Sequence, residues 1–279
     1  MIYGLHIATG GKLLDAPVKA KALGIKTMQI FASNPRSWQP AVYTPEEAKK
    51  FKSVCQNADL KSTFIHMIYL VNYGTEDQQL WQKSTAAIID MMKTSDLLGT
   101  NGVITHLGSH RGLGFDQALE RLSNSLNQAL SHSKKSDLIL ENSAGAGSNM
   151  GDSLEELEAI MRIMNRPVRL KVCLDTAHLL ASGYEIRTKH GWNSFLEKFD
   201  NLIGLDRLAA IHLNDSMVDI DTKKDRHENI GYGFIGEEGF KNILNHPKLQ
   251  KIPGILEVPG MKNMGPDEAN LKKLIALTN

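Results

Sequence analysis

Leu170-Lys-Val-Cys-Leu-Asp175-Thr-Ala-His178 joins a buried-strand pattern to two side chains able to bind a metal, at the point where the strand stops. Val172, Cys173 and Leu174 form a short apolar run bounded by polar residues. A carboxylate and an imidazole at i and i+3 face one cavity when the chain turns from strand into helix, and end-of-strand sites are common in α/β enzymes. Asp175 acting only as a helix cap, with His178 packed beside it, accounts for this stretch equally well when it is taken alone. Its weight comes from recurrence.

Outward from this stretch, the same event repeats on both sides. Towards the N-terminus, Leu138-Ile-Leu140 delivers Glu141, Gly102-Val-Ile-Thr105 delivers His106, and Ser62-Thr-Phe-Ile65 delivers His66. Towards the C-terminus, Leu208-Ala-Ala-Ile211 delivers His212 and Gly254-Ile-Leu256 delivers Glu257. Two earlier strand patterns, Tyr3 to Ala8 with His6 near its end and Thr27-Met-Gln-Ile-Phe31, bring the number to eight. Helical periodicity fills the intervals. Pro45 opens a helix after Thr44, and further helices are expected over about Gln78 to Leu98, Gln117 to Leu130, Leu154 to Met164, Trp192 to Leu205, Phe240 to Leu244 and Leu271 to Leu277. Strands alternating with helices along the whole chain predict the α/β class, and specifically a single (β/α)8 TIM barrel over residues 1–279. The length suits such a barrel, which typically runs about 250 residues.

Composition narrows the function without choosing it. No run of about 18 apolar residues is present and the chain begins Ile2-Tyr-Gly-Leu with no basic-then-apolar leader, so the expectation is a cytoplasmic protein without a membrane partner. Cys55 and Cys173 are the only cysteines and neither sits in a Cys-x-x-Cys pair, which argues against disulfide scaffolds and thiolate zinc sites. A net charge of +1 leaves nucleic acid open as a partner, since a local basic rim binds phosphates on a neutral protein. The glycine-containing loop Asn142 to Asn149 lacks the Lys-Ser/Thr of a Walker A loop and is read as a permissive loop.

The ligand-type residues carry the functional signal. His66, His106, Glu141, Asp175, His212 and Glu257 end six consecutive strands, and in a barrel those ends meet at the C-terminal mouth. His178, Asp225 and His227 are expected in loops on the same rim. One strand-end histidine is more often a satisfied structural residue, but six such ends in a row resist that reading. Four carboxylates in one cavity would repel one another unless cations occupied the space. Nine nitrogen and oxygen donors without a thiolate fill more than one metal site; the histidine-rich mix suits zinc, and manganese or iron is compatible by ligand type. Three divalent ions would carry a formal charge surplus over four carboxylates, which favours a phosphate.

The chain resembles the endonuclease IV family of apurinic/apyrimidinic endonucleases. The pieces that carry the likeness are Asn34-Pro-Arg-Ser-Trp38, Tyr69-Leu-Val-Asn72, His106-Leu-Gly-Ser-His110, Glu141-Asn-Ser-Ala-Gly, Leu174-Asp-Thr-Ala-His-Leu179, His212-Leu-Asn-Asp215 and Asp225-Arg-His-Glu-Asn-Ile-Gly231. The resemblance implies a trinuclear zinc site: His66, His106 and Glu141 on the first ion; Glu141 as a bridge with Asp175, His212 and Glu257 on the second; His178, Asp225 and His227 on the third. It also implies cleavage 5′ to abasic sites in double-stranded DNA, with Glu141, Asp175 and Glu257 at the reacting phosphate. Arg36, Trp38 and Tyr69 match positions that contact DNA, and Lys223, Lys224 and Arg226 flank proposed ligands as phosphate contacts. Met67, Ile68, Leu107, Val258, Asn229 and Tyr232 depart from the usual pattern, and none of them is a ligand. A monomer is the simpler expectation for a rim that must grip a duplex. The alternatives are a single-metal sugar isomerase or epimerase, which needs only Glu141, Asp175, His212 and Glu257, and a non-catalytic binder of abasic DNA.

Overall fold

The structure, a computed structural model, describes residues 1–278. Eight parallel strands close into a barrel: β1 (Ile2–His6), β2 (Thr27–Ile30), β3 (Ser62–His66), β4 (Gly102–Thr105), β5 (Asp137–Glu141), β6 (Leu170–Asp175), β7 (Leu208–His212) and, after a small hairpin β8 (Asp215–Ser216) and β9 (His227–Glu228), β10 (Pro253–Leu256). The order around the barrel is β1-β10-β7-β6-β5-β4-β3-β2. Helices cover the outside: α1 (Asp15–Ala22), α2 (Pro45–Asn57), α3 (Gln78–Leu98), α4 (Phe115–Ser131), α5 (Leu154–Ile163), α6 (Thr176–Ser182), α7 (Lys189–Leu202), α8 (Gly236–Leu244) and α9 (Glu268–Ala276). The fold is the TIM barrel that the strand-helix alternation predicts.

Strand periodicity explains where the site must be. Successive side chains of a strand point to opposite faces. Phe64, Ile104, Ile139, Cys173, Ala210 and Ile255 form one buried cluster inside the barrel, separate from the larger core that holds Ile65, Leu140, Leu174, Ile211 and Leu256 between strands and helices. Two residues beyond each member of the inner plug, on the same face, come His66, His106, Glu141, Asp175, His212 and Glu257. An apolar layer thus closes the lumen directly beneath six polar side chains. Interstrand register staggers them: Asp175 pairs with His212, whereas Glu141 pairs with Cys173 and His66 with Ile104 of the plug. At β1, Gly4 lets two strands approach closely, since a Cβ there would lie 2.0 Å from the Thr27 carbonyl oxygen.

Local signals set the helix ends. Thr44 and Glu47 form a reciprocal capping box on α2. Asp77 accepts from the amides of Gln79 and Leu80 at the start of α3, and Gly99, at φ 69°, ends it in the left-handed conformation that glycine adopts freely. Several expectations shift, among them α8 and α9, which begin at Gly236 and Glu268 rather than at Phe240 and Leu271. The helix predicted over Trp192 to Leu205 begins earlier, at Lys189, because the Thr188 hydroxyl caps it through Gly191, and a separate single turn follows at Leu205–Arg207. The segment from Asn214 to Gly236, which carries Asp225 and His227 and shows no strand pattern in sequence, contains the β8–β9 hairpin, whose two-residue strands are too short to leave a periodic trace.

Candidate metal centre at the barrel mouth

The polar layer above the plug lines a cavity of about 380 Å³, open at the C-terminal end of the strands. Its donors fall into three groups, within each of which the donor atoms lie within 4.8 Å of one another: His66, His106 and Glu141; Glu141, Asp175, His212 and Glu257; and Asp175, His178 and His227. In the first, His66 Nε2 and His106 Nδ1 lie 3.1 and 3.5 Å from Glu141 Oε2. In the second, His212 Nδ1 lies 3.0 Å from Glu141 Oε1 and 3.2 Å from Glu257 Oε2. In the third, His227 Nε2 lies 3.5 Å from Asp175 Oδ2. Asp225, on the exposed rim, brings its Oδ1 to 3.2 Å from His178 Nε2 and 3.4 Å from His227 Nε2. All nine residues singled out as donors therefore meet at the barrel mouth, although they come from seven separate segments; seven of them line the cavity, and Asp175 and His212 are buried against them. Glu141 belongs to two groups, and so does Asp175, which sequence reading attached only to the middle one.

Neighbouring hydrogen bonds aim the donors. His66 Nδ1 is 2.7 Å from the Met67 carbonyl and His178 Nδ1 is 2.9 Å from the Asn142 carbonyl. A carbonyl oxygen only accepts, so in both rings Nδ1 carries a proton and Nε2 is the atom that faces the cavity, free to bind a cation once it gives up any proton of its own. Asp175 is held from three sides: its amide donates to Asn142 Oδ1, its Oδ2 accepts from Asn214 Nδ2 at 2.6 Å, and its Oδ1 caps α6 by accepting from the His178 amide at 3.0 Å. The cap and the site donor are therefore the same carboxylate. Asn214 Oδ1 also accepts from the Glu257 amide.

Charge is concentrated here. Burial alone would raise the carboxyl groups of Glu141 and Glu257, but the surrounding histidines outweigh it and hold both well below the usual carboxylate range. Burial pulls His178 down; the carboxylates of Asp175, Asp225 and Glu141 overcome it and lift the ring to about 10. His106 is lowered, chiefly by burial. Without cations, these carboxylates rely on protonated rings for compensation. The donor set fits divalent cations on a further ground: His178 Nε2 and His227 Nε2 are buried with no hydrogen-bond partner, although carboxylate oxygens lie near both. Buried polar atoms are rarely left so.

The remaining expected residues separate into two neighbourhoods. Arg36 is exposed, and Tyr69, 57% exposed, stands on the rim with its ring 5.2 Å from Phe31; the Tyr69 amide donates to Pro35, tying their two loops together. Lys224 and Arg226 are exposed beside Asp225, whereas Lys223 donates to the Ser182 carbonyl. Trp38 lies elsewhere, lining an apolar cavity of about 170 Å³ with Met67, Ile68 and Met91. Sequence reading missed Gln29, Asn142 and Asn214. For Gln29 a signal existed, a lone amide on the inward phase of an apolar strand; the two asparagines stand one or two places after a donor and look like ordinary loop residues.

Comparison with known proteins places this geometry in a family. The profile of the xylose isomerase-like TIM barrel family matches residues 17–279. A Halothermothrix orenii protein named "Probable endonuclease 4" is 38% identical over 260 residues, 93% of this chain and 94% of that one. The crystal structure of endonuclease IV from Thermus thermophilus matches with a TM-score of 0.87 at 33% identity, covering 99% of this chain and 98% of that chain. A D-tagatose 3-epimerase-like protein matches with a TM-score of 0.73 over 99% of this chain and 96% of its own, but at 16% identity, a likeness of fold alone. With its barrel, its nine converging donors and relatives of this identity over nearly the full length, the chain belongs to the endonuclease IV family of xylose isomerase-like TIM barrels.

Proposed function

We propose that this chain is a DNA repair endonuclease that hydrolyses the phosphodiester 5′ to an abasic site in duplex DNA, leaving a 3′-hydroxyl and a 5′-deoxyribose phosphate. The observation that carries the reading is the set of three donor groups that share Glu141 and Asp175 in one cavity. Three zinc ions would be held by His66, His106 and Glu141; by Glu141, Asp175, His212 and Glu257; and by His178, Asp225 and His227, with manganese or iron compatible at one of these. Bound divalent ions supply Lewis acidity, activating water and offsetting charge on the phosphate oxygens. A single-metal sugar isomerase would use four of the nine donors and leave five idle.

The protein's own groups provide positioning. Glu141, Asp175 and Glu257 face the reacting phosphate and orient the attacking water by accepting its hydrogen bonds. An abasic nucleotide has lost its stacking and rotates out of the duplex at little cost, so Arg36 and Tyr69, on linked rim loops, fill the gap it leaves. Lys224 and Arg226 contact backbone phosphates, which fixes register without reading sequence. Lys223 and Trp38 act by supporting the rim loops, with Lys223 available as a further phosphate contact. One domain, 1–279, carries the whole activity as an intracellular monomer. Among the described residues no helix is long and apolar enough to cross a membrane.

The test is direct. Zinc-loaded protein should nick a duplex carrying one abasic site without added magnesium, giving a 3′-hydroxyl end that a polymerase extends. Intact substrate would overturn the nuclease reading, and tight binding without a cut would identify a non-catalytic binder.

A further inference from the structure

Gln29 sits on β2 with no solvent exposure, and its side-chain amide makes three hydrogen bonds within the site. Its Nε2 lies 2.5 Å from Glu257 Oε1 and 2.9 Å from His6 Nδ1, while its Oε1 lies 2.9 Å from His212 Nε2. The orientation is forced. Turning the amide over would set its oxygen against the Glu257 carboxylate, two acceptors at hydrogen-bond distance with no proton between them.

Two consequences follow for the rings. An amide nitrogen only donates, so His6 Nδ1 must accept and the His6 proton lies on Nε2. An amide oxygen only accepts, so His212 Nε2 must donate, and His212 Nδ1 is the atom left to face Glu141, Asp175 and Glu257. His6 belongs to none of the three donor groups, yet it lines the same cavity, and its Nε2 is buried without a hydrogen-bond partner. A buried N–H aimed at a site and lacking an internal acceptor points to an acceptor on the ligand.

We propose that Gln29 is a positioning residue that sets the Nε2–H tautomer of two histidines through opposite contacts, donating to one ring and accepting from the other, which turns the His212 Nδ1 lone pair to the metal site and the His6 Nε2–H to an oxygen of the bound phosphate. This rests on the metal-nuclease reading for what the site holds, but its geometry is independent of turnover. Glu257 is part of the device, because the same amide nitrogen that fixes His6 also holds its carboxylate.

The experiment uses zinc-loaded protein with ¹⁵N-labelled histidines and long-range ¹H–¹⁵N correlation, which distinguishes protonated from unprotonated ring nitrogens. In wild type, His6 is expected to be protonated at Nε2 and His212 at Nε2. A His6 proton on Nδ1, or an unprotonated His212 Nε2, overturns the proposal whether or not any variant folds. In Gln29→Leu, the His6 proton should move to Nδ1, from which Glu257 Oε1 lies 3.5 Å away, and the zinc dissociation constant should rise about 10–100-fold as for lost partners of metal ligands. An unmoved proton with zinc affinity within about twofold of wild type would contradict it. Inorganic phosphate added to the zinc-loaded wild type should shift the His6 Nε2–H resonance, and an unchanged resonance would remove His6 from the substrate site. Failure of the nicking assay with these tautomers intact would sink the nuclease reading alone.

Discussion

At the residue scale, the carboxylate shared by two donor groups is the most exposed point of the proposal. Glu141 lies beside His66, His106 and His212, and it is almost entirely buried. Glu141→Gln keeps the shape and removes the charge. Metal analysis of this variant should show fewer bound ions and turnover should fall by several orders of magnitude, whereas an unchanged metal content would detach Glu141 from the centre. Arg36→Ala combined with Tyr69→Ala should instead weaken binding to an abasic duplex by tenfold or more, roughly the 1–3 kcal/mol that a stacking side chain contributes, with much less effect on turnover at saturation. Equal affinity, measured by fluorescence anisotropy, would count against the insertion role. Six of the nine donors were legible in sequence because each ends an apolar run at a fixed phase of its strand, and His178, Asp225 and His227 stood out only as ligand-type residues in the loops that follow. Gln29 left a weaker trace, a lone amide in an apolar strand, which is taken for an outward polar residue until barrel closure shows which face is enclosed.

Element ends owe their placement to short-range hydrogen bonds, and one such device joins two elements across the barrel's outer layer. Asp96, near the end of α3, accepts from the amides of Lys134, Lys135 and Ser136 and from the hydroxyls of Ser133 and Ser136, pinning the turn between α4 and β5. Partial burial would raise its pKa, but these donors outweigh burial and lower it. A carboxyl lowered in the folded state contributes stability above its unfolded pKa, near 3.9, and loses that contribution as pH falls through the folded value. Asp96→Asn should therefore destabilise by roughly 1.5–3 kcal/mol at pH 7, the range for hydrogen bonds to a charged group. In urea unfolding the gap from wild type should narrow as pH drops below about 4; a gap that does not change with pH would show that charge plays no part. Such long-range pins are invisible in sequence, as is the β8–β9 hairpin, whereas the capping box of α2 can be read directly from Thr44 and Glu47.

For the whole molecule, closing eight strands brings distant segments together, and the apolar plug beneath the donors closes the lumen below them. This arrangement collects negative charge that cations would relieve, and metal bound there would couple to folding. Chelation should lower the melting temperature measured by calorimetry, and zinc should restore it; a site at 100 times its dissociation constant adds about 2.7 kcal/mol. A melting temperature indifferent to both would mean that the cluster is satisfied without ions. The barrel was legible from the repetition of strand, ligand and helix. The sharing of Asp175 between two groups was not, because it depends on how far the β9 loop reaches over β6.

The central claim is that nine side chains gather three metal ions at the mouth of the barrel. Diffraction at the zinc absorption edge from crystals of zinc-replete protein tests it most directly. Three anomalous peaks are expected, one within each group of donors, with Glu141 between two of them. A single peak at Glu141, Asp175, His212 and Glu257, or no peak in the cavity, would contradict it.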